Sequence, residues 1–267
     1  MTYALCVCVR EGLVCLADGQ ITSGNQVSSA RKATLHGPEG AQFVVMTSGL
    51  RSLRDKTLAY MNRRLNRVDS EQVPTLLDAV DTYASCLRQT AQEDKAAVEA
   101  SKLTFNLHAI IAGKLPEDPR PVAYLVYPEA NWIEVTERTP YFAIGASGYG
   151  KPILDRTVAY DTTLRMALKA AYLSFDSTRV SATDVGYPVD VMTLAASDGQ
   201  WRTATYAHDD LREQREWWNR HLTQMAAQLP DEAWSGQLLP ADAASRSSLS
   251  SVRDGDAASG NPAASRD

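Results

Sequence analysis

Two apolar runs stand almost back to back at the start of the chain, Thr2 to Val9 (TYALCVCV) and Leu13 to Ala17 (LVCLA), parted by Arg10, Glu11 and Gly12. A short break of two charged residues and a glycine suits a tight hairpin turn. Neither run alternates apolar with polar residues, so both faces of the hairpin read as buried and each needs something packed on it. Cys6 and Cys8 sit two apart in the first run, which on a strand puts both thiols on one buried face. A C-x-C metal site would need a second Cys/His cluster nearby, and none is present, so these read as buried thiols with no metal. With Cys15 and Cys86 the chain has 4 cysteines in 267 residues, too few for a disulfide framework.

The rest of the chain fills in the layers. Residues 18–30 (DGQITSGNQVSSA) form a polar excursion, after which Gln42 to Met46 resumes an apolar run ending in Thr47-Ser48-Gly49. Leu53, Leu58, Met61 and Leu65 recur at helical spacing between Leu50 and Val68. A second helix is expected after Pro74, with Thr75 in its first turn and Leu76, Leu77, Val80, Tyr83, Ala84 and Leu87 as its stripe. Strands are predicted at Phe105 to Ala112, Val122 to Tyr127, Trp132 to Val135 and Tyr141 to Ile144. Helices follow at Lys151 to Val158 and Leu164 to Phe175, then strands at Val189 to Leu194 and Trp201 to Tyr206, and a long helix from Asp209 to Leu229. Runs of strands alternating with runs of helices argue for antiparallel sheets with helices packed outside them. The fold class this implies is α+β, a four-layer αββα sandwich over residues 1–240.

After Pro240 the sequence consists almost wholly of Ala, Ser, Asp, Gly and Arg. Such a segment cannot bury enough apolar surface to offset the entropy of ordering it, so 241–267 reads as a disordered tail, with a binding peptide as the alternative. The net charge of −5 and the lack of a Lys/Arg block argue against nucleic acid as a partner. No signal peptide and no bilayer-length apolar run is visible, so no membrane association is expected and the location reads as cytoplasmic.

A threonine directly behind Met1 raises a chemical possibility. Processing enzymes remove Met when the next side chain is small, which would leave Thr2 with a free α-amine and no propeptide to cut. The hydroxyl could then attack while the amine takes its proton, since an α-amine ordinarily titrates near pH 7.7–8.0. A nearby ammonium would lower that pKa, and a carboxylate would hold the ammonium in place. Asp18, ending the second strand of the hairpin, returns to the start of the first, and Lys32 follows the polar excursion. Taken singly, each has an ordinary explanation as a turn or surface residue.

Together, Thr2, the Leu-Ala-Asp18-Gly-Gln run and Arg31-Lys32 resemble the N-terminal threonine peptidases of the proteasome β-subunit superfamily, which are N-terminal nucleophile hydrolases. DGQITSGN is similar to the matching run of the bacterial protease HslV. The stretch IGASGYGKPILDRTVAYDTTLRMALKAAYLSFDSTR more closely resembles the bacterial proteasome-related proteins called Anbu and their relative, the betaproteobacterial proteasome homologue. The resemblance spans roughly residues 2–230. It implies Thr2 as nucleophile and base, Lys32 as the ammonium that tunes the amine, Asp18 as its holder, and Gly49 as a backbone donor to the oxyanion. Ser147 in GASGYG would complete the hydrogen-bond network of the amine.

Two departures from the family pattern are visible. Lys32 arrives one or two residues early, which calls for a shortened loop before it. Where an Asp and a Ser normally support the nucleophile, the chain has Ser181, Ala182, Thr183, Asp184 and Val185, and either Ser181 or Asp184 is a candidate. The resemblance implies a self-compartmentalising peptidase acting on peptides or unfolded proteins, assembled as a homo-oligomer of stacked rings, with a tetradecamer the expected size. No cofactor is expected, and no motif identifies an ATPase partner. The departures motivate an alternative, a ring-forming scaffold or binding assembly, and an N-terminal nucleophile amidase acting on a small molecule is a third reading. Trp217 and Trp218 are adjacent on the last helix and cannot share a face, so one is expected to pack inward and the other against a partner.

Overall fold

The computed structural model describes residues 2–23, 26–66, 73–230 and 238. The proposed tail, 241–267, lies outside the described residues. Residues 1–212 form one compact unit, and a second begins at Glu213.

The first hairpin is β1 (Tyr3–Val9) and β2 (Gly12–Asp18), and every residue of both strands is buried. They pair antiparallel, with Ala4 opposite Ala17 and Cys6 opposite Cys15. The polar excursion forms its own small ribbon, β3 (Gln20–Ser23) and β4 (Gln26–Ser29), where the sequence suggested only a loop. Its residues lack the apolar run that marks a core strand, and what identifies it as a ribbon is its pairing. β5 (Ala33–His36) and β6 (Phe43–Gly49) follow, the latter matching the apolar run that ends in Thr-Ser-Gly.

α1 (Arg51–Leu65) buries Leu53, Thr57 and Met61, successive positions on one helical face. α2 (Leu76–Ala100) is longer than its apolar stripe suggests, because beyond Thr90 it continues as a solvated helix that periodicity does not mark. Thr75 is its N-cap: its hydroxyl accepts the Asp78 amide while the Asp78 carboxylate accepts the Thr75 amide, a reciprocal capping box. β7 (Leu107–Gly113), β8 (Val122–Val126), β9 (Trp132–Glu134) and β10 (Tyr141–Gly145) then alternate with turns. α3 (Lys151–Thr157) and α4 (Leu164–Ser181) precede β11 (Val189–Ala195) and β12 (Trp201–Tyr206). The last helix, α5 (Arg212–Ala227), lies almost wholly in the second unit, where Trp217 stacks on His221.

Ten of these strands form two antiparallel sheets, ordered β10-β1-β2-β11-β12 and β5-β6-β7-β8-β9. Strand alternation divides the core. Ala4, Cys6 and Cys8 of β1 join the layer between the sheets, which continues through β6 and β7 to the buried stripe of α2. Tyr3, Leu5 and Val7 face the other way, onto Leu154 of α3 and Ala167, Ala170, Ala171 and Phe175 of α4. The architecture is thus the α+β sandwich αββα, with β1 buried on both faces because it lies between a helical layer and a second sheet. The four cysteines are buried free thiols.

Candidate active site

β1 begins in the middle of its sheet, between β10 and β2, and this brings the candidate residues together. Thr2 directly precedes β1 and is 8% exposed. Its carbonyl accepts the Ala146 amide at 2.8 Å, and Tyr3 lies opposite Gly145 in the register. Gly145 has φ +83°, a backbone conformation side chains rarely adopt, and a β-carbon there would sit 1.8 Å from the Thr2 carbonyl oxygen. The same β-carbon would lie 3.2 Å from Ser48 Oγ, so the end of β6, carrying Ser48 and Gly49, converges on the start of β1. Ser147 follows directly on Ala146, its amide bonded to the Gly145 carbonyl and its own carbonyl receiving the Lys151 amide at the start of α3.

Asp18, at the end of β2, is fully buried. One carboxylate oxygen accepts the Tyr3 amide at 2.8 Å, the peptide N–H that follows Thr2 directly. Lys32 Nζ donates to both oxygens, at 2.8 and 2.9 Å, and the Gly186 amide approaches the second oxygen at 3.5 Å. Each oxygen therefore faces a fixed backbone donor, which favours the ionised carboxylate. Burial pushes the Asp18 carboxyl up from its usual range, and Lys32 opposes the rise. Burial likewise pushes the Lys32 ammonium down, resisted first by Asp18 and then by Asp184, with Arg54 adding to the fall. A charged ammonium held in place by a carboxylate depresses the pKa of an amine close to it by like-charge repulsion.

The early arrival of Lys32 does not keep it from Asp18. The β3–β4 ribbon takes up residues 20–29, Ala30 returns its amide to the Gly19 carbonyl, and Lys32 leads directly into β5. Of the two alternatives near the end of α4, Ser181 is exposed, whereas Asp184 is half-buried and acts electrostatically on Lys32. Sequence reasoning missed the outer support. The Tyr3 hydroxyl pairs with Ser174 Oγ at 2.6 Å, and Ser174 donates to the Gly150 carbonyl at 2.8 Å, tying β1 to α4 and to the turn that carries Ser147. Burial pushes the Tyr3 phenol up to about 12, so it stays a neutral hydroxyl. The alternation of β1 could have flagged it, because a tyrosine on an otherwise aliphatic helix-facing side needs a buried partner.

Among the described residues no group of three His, Cys, Asp or Glu could hold a metal ion, and no helix is long and apolar enough to cross a membrane.

No family model matches the chain. Proteasome subunit beta 1 of Pyrobaculum calidifontis is 23% identical over 208 residues, covering 77% of this chain and 96% of that one. Its counterpart from Pyrobaculum arsenaticum is 22% identical over 207 residues, covering 77% and 95%. Among solved structures, Anbu of Hyphomicrobium sp. strain MC1, as a Gly-1 mutant, superposes with a TM-score of 0.78 at 29% identity, covering 86% of this chain and 98% of that one. The Anbu complex of Pseudomonas aeruginosa, solved as a helical assembly, gives 0.78 at 29% identity, covering 85% and 97%. Anbu of Yersinia bercovieri, described as an ancestral beta-subunit, gives 0.76 at 29%, covering 85% and 97%.

Proposed function

We propose that this chain, a proteasome-related protein of the N-terminal nucleophile superfamily, hydrolyses peptide bonds with Thr2 as both nucleophile and base. The observation that carries the reading is the position of Asp18, which bonds the Lys32 ammonium and the amide next to Thr2 with one carboxylate. That single group ties a positive charge to the residue whose amine must be neutral to act as a base. With Met1 removed, the α-amine takes the proton of the Thr2 hydroxyl as its oxygen attacks the substrate carbonyl. The amine then passes the proton to the leaving nitrogen and activates the water that cleaves the ester. Gly49, at the end of β6 beside Ser48, is the backbone donor assigned to the oxyanion, and a donor of this kind is worth roughly 10²–10³ in rate. Ser147 is assigned to the hydrogen-bond network of the amine, and Asp184 supports Lys32.

The similarity to Anbu, including a helical assembly, supports self-association of this chain, with the hydrolytic sites enclosed by neighbouring copies in the cytoplasm and open to peptides or unfolded segments. The test is hydrolysis of short fluorogenic peptides by protein whose N-terminus has been shown to be Thr2. Turnover by wild type and none by Thr2→Ala supports the reading. Equal turnover by both overturns it, and no turnover by either leaves the scaffold assembly as the better account.

A further inference from the structure

Asp18, Asp176 and Asp190 are buried carboxylates; Asp18 pairs with Lys32 and Asp176 with Arg179, whereas Asp190 has no cation of its own among the described residues. It occupies the second position of β11, next to Val189, the register partner of Asp18, and is 5% exposed. Its neighbours Met192 and Leu194, at the alternate positions of β11, face the layer between the sheets, and the pleat puts Asp190 on that same side. Among the described residues its carboxylate accepts one hydrogen bond, from the Thr205 hydroxyl on β12 at 2.6 Å, and forms no salt bridge. Buried charges in proteins are ordinarily paired with an opposite charge, and a single hydroxyl supplies much less than a cation does.

The space beside it is open. β12 is the outer strand of one sheet and β5 the outer strand of the other, and residues of both line a partly open cavity of about 250 Å³. Asp190, Thr203 and Thr205 line one wall, and Leu35 and Met192 supply apolar surface. Arg31, which directly precedes Lys32, also lines the cavity. It is exposed and, among the described residues, makes no ion pair. The volume is below the roughly 300–1,000 Å³ of sites for drug-sized molecules and suits a unit of about the size of one amino acid.

We propose that this cavity binds a basic amino-acid unit bearing a free carboxylate, its side-chain cation paired with Asp190 and its carboxylate with Arg31. A buried acid and an exposed guanidinium in one small cavity select a ligand with charges of both signs. A simple amine would leave Arg31 unmatched and repelling, and a simple carboxylate would meet Asp190. Leu35 and Met192 suit the aliphatic stem of lysine or arginine. The unit can come from the free amino acid or from the C-terminal residue of a peptide. The proposal does not depend on whether Thr2 hydrolyses anything.

The test is calorimetric titration of the intact assembly with L-arginine, agmatine, norleucine and an N-acetylated tripeptide ending in arginine. L-arginine is expected to bind saturably, agmatine at least several-fold more weakly because it lacks the carboxylate, and norleucine not at all. Asp190→Asn, which keeps an acceptor for Thr205, should weaken L-arginine at least tenfold, and Arg31→Gln should lower it to the level of agmatine. Tighter binding of the tripeptide than of L-arginine identifies a peptide C-terminus as the source, and the reverse identifies the free amino acid. Absence of saturable L-arginine binding to wild type, or equal binding by the Asn variant, overturns the proposal.

Discussion

Lys32 reaches both carboxylate oxygens of Asp18, at 2.8 and 2.9 Å, and the two residues are 6% and 0% exposed. Removing one member of such a pair leaves a buried charge without its partner, which costs roughly 3–5 kcal/mol. Lys32→Met is therefore expected to lower the urea midpoint strongly. Hydrolysis should fall in the same variant by about 10²–10⁴, the usual contribution of proton transfer by a positioned group. Unchanged turnover in Lys32→Met would remove the lysine from the mechanism, whatever its effect on stability.

Gly145 is where the backbone leaves no room. With φ +83° and the Thr2 carbonyl 1.8 Å from the β-carbon that any other residue would carry, Gly145→Ala must displace the start of β1. A loss of more than about 1 kcal/mol in stability is expected, together with loss of Thr2 reactivity, because a substitution at an incompatible φ costs more than the entropy it saves. Wild-type reactivity in this variant would show that the backbone around Thr2 is not fixed by that contact.

Tyr3→Phe tests the outer support on its own. The substitution removes the hydroxyl paired with Ser174 while Ser174 keeps its bond to the Gly150 carbonyl. The expected change is about 1 kcal/mol of stability, the net value of one internal hydrogen bond, with little effect on turnover. An unchanged urea midpoint would mean that this bond does not hold β1 to α4.

His36 carries a pH dependence whose sign follows from burial. Its Nδ1 meets Asn62 Oδ1 at 2.8 Å and its Nε2 meets Thr34 Oγ1 at 2.7 Å, which suits a neutral ring donating to Asn62 and accepting from Thr34. Burial pushes the imidazole below its ordinary 6.5. The unfolded chain then binds the proton more readily, so the contribution of His36 is present above about pH 6.5 and is lost as pH falls toward the folded value. Urea midpoints measured between pH 5 and 7.5 should rise with pH. His36→Gln should show a shallower rise, with a residual slope from His108, which burial also lowers. Parallel curves for the two proteins would contradict the assignment.

Much of this was legible in the chain because β1 and β2 are continuous apolar runs and the helices carry clear stripes. Burial on both faces of one hairpin already implied layers on either side. The β3–β4 ribbon was not legible, since its polar residues lack the pattern of a core strand. The far half of α2 is solvated, and no apolar period marks it. At the candidate site, Thr2, Asp18 and Lys32 were readable from residue type and order along a hairpin. Gly186, Ser48 and Ser174 were not, because their roles arise from contacts between elements distant in sequence.

The most direct test of Thr2 as nucleophile is the intact mass of the protein after treatment with a peptide epoxyketone, an electrophile that needs both the hydroxyl and a free α-amine. The account predicts that Met1 is absent, that one adduct forms per chain at Thr2, and that Thr2→Ala forms none. Protein confirmed to begin at Thr2 that stays unlabelled, or protein from cells that keeps Met1, would contradict it.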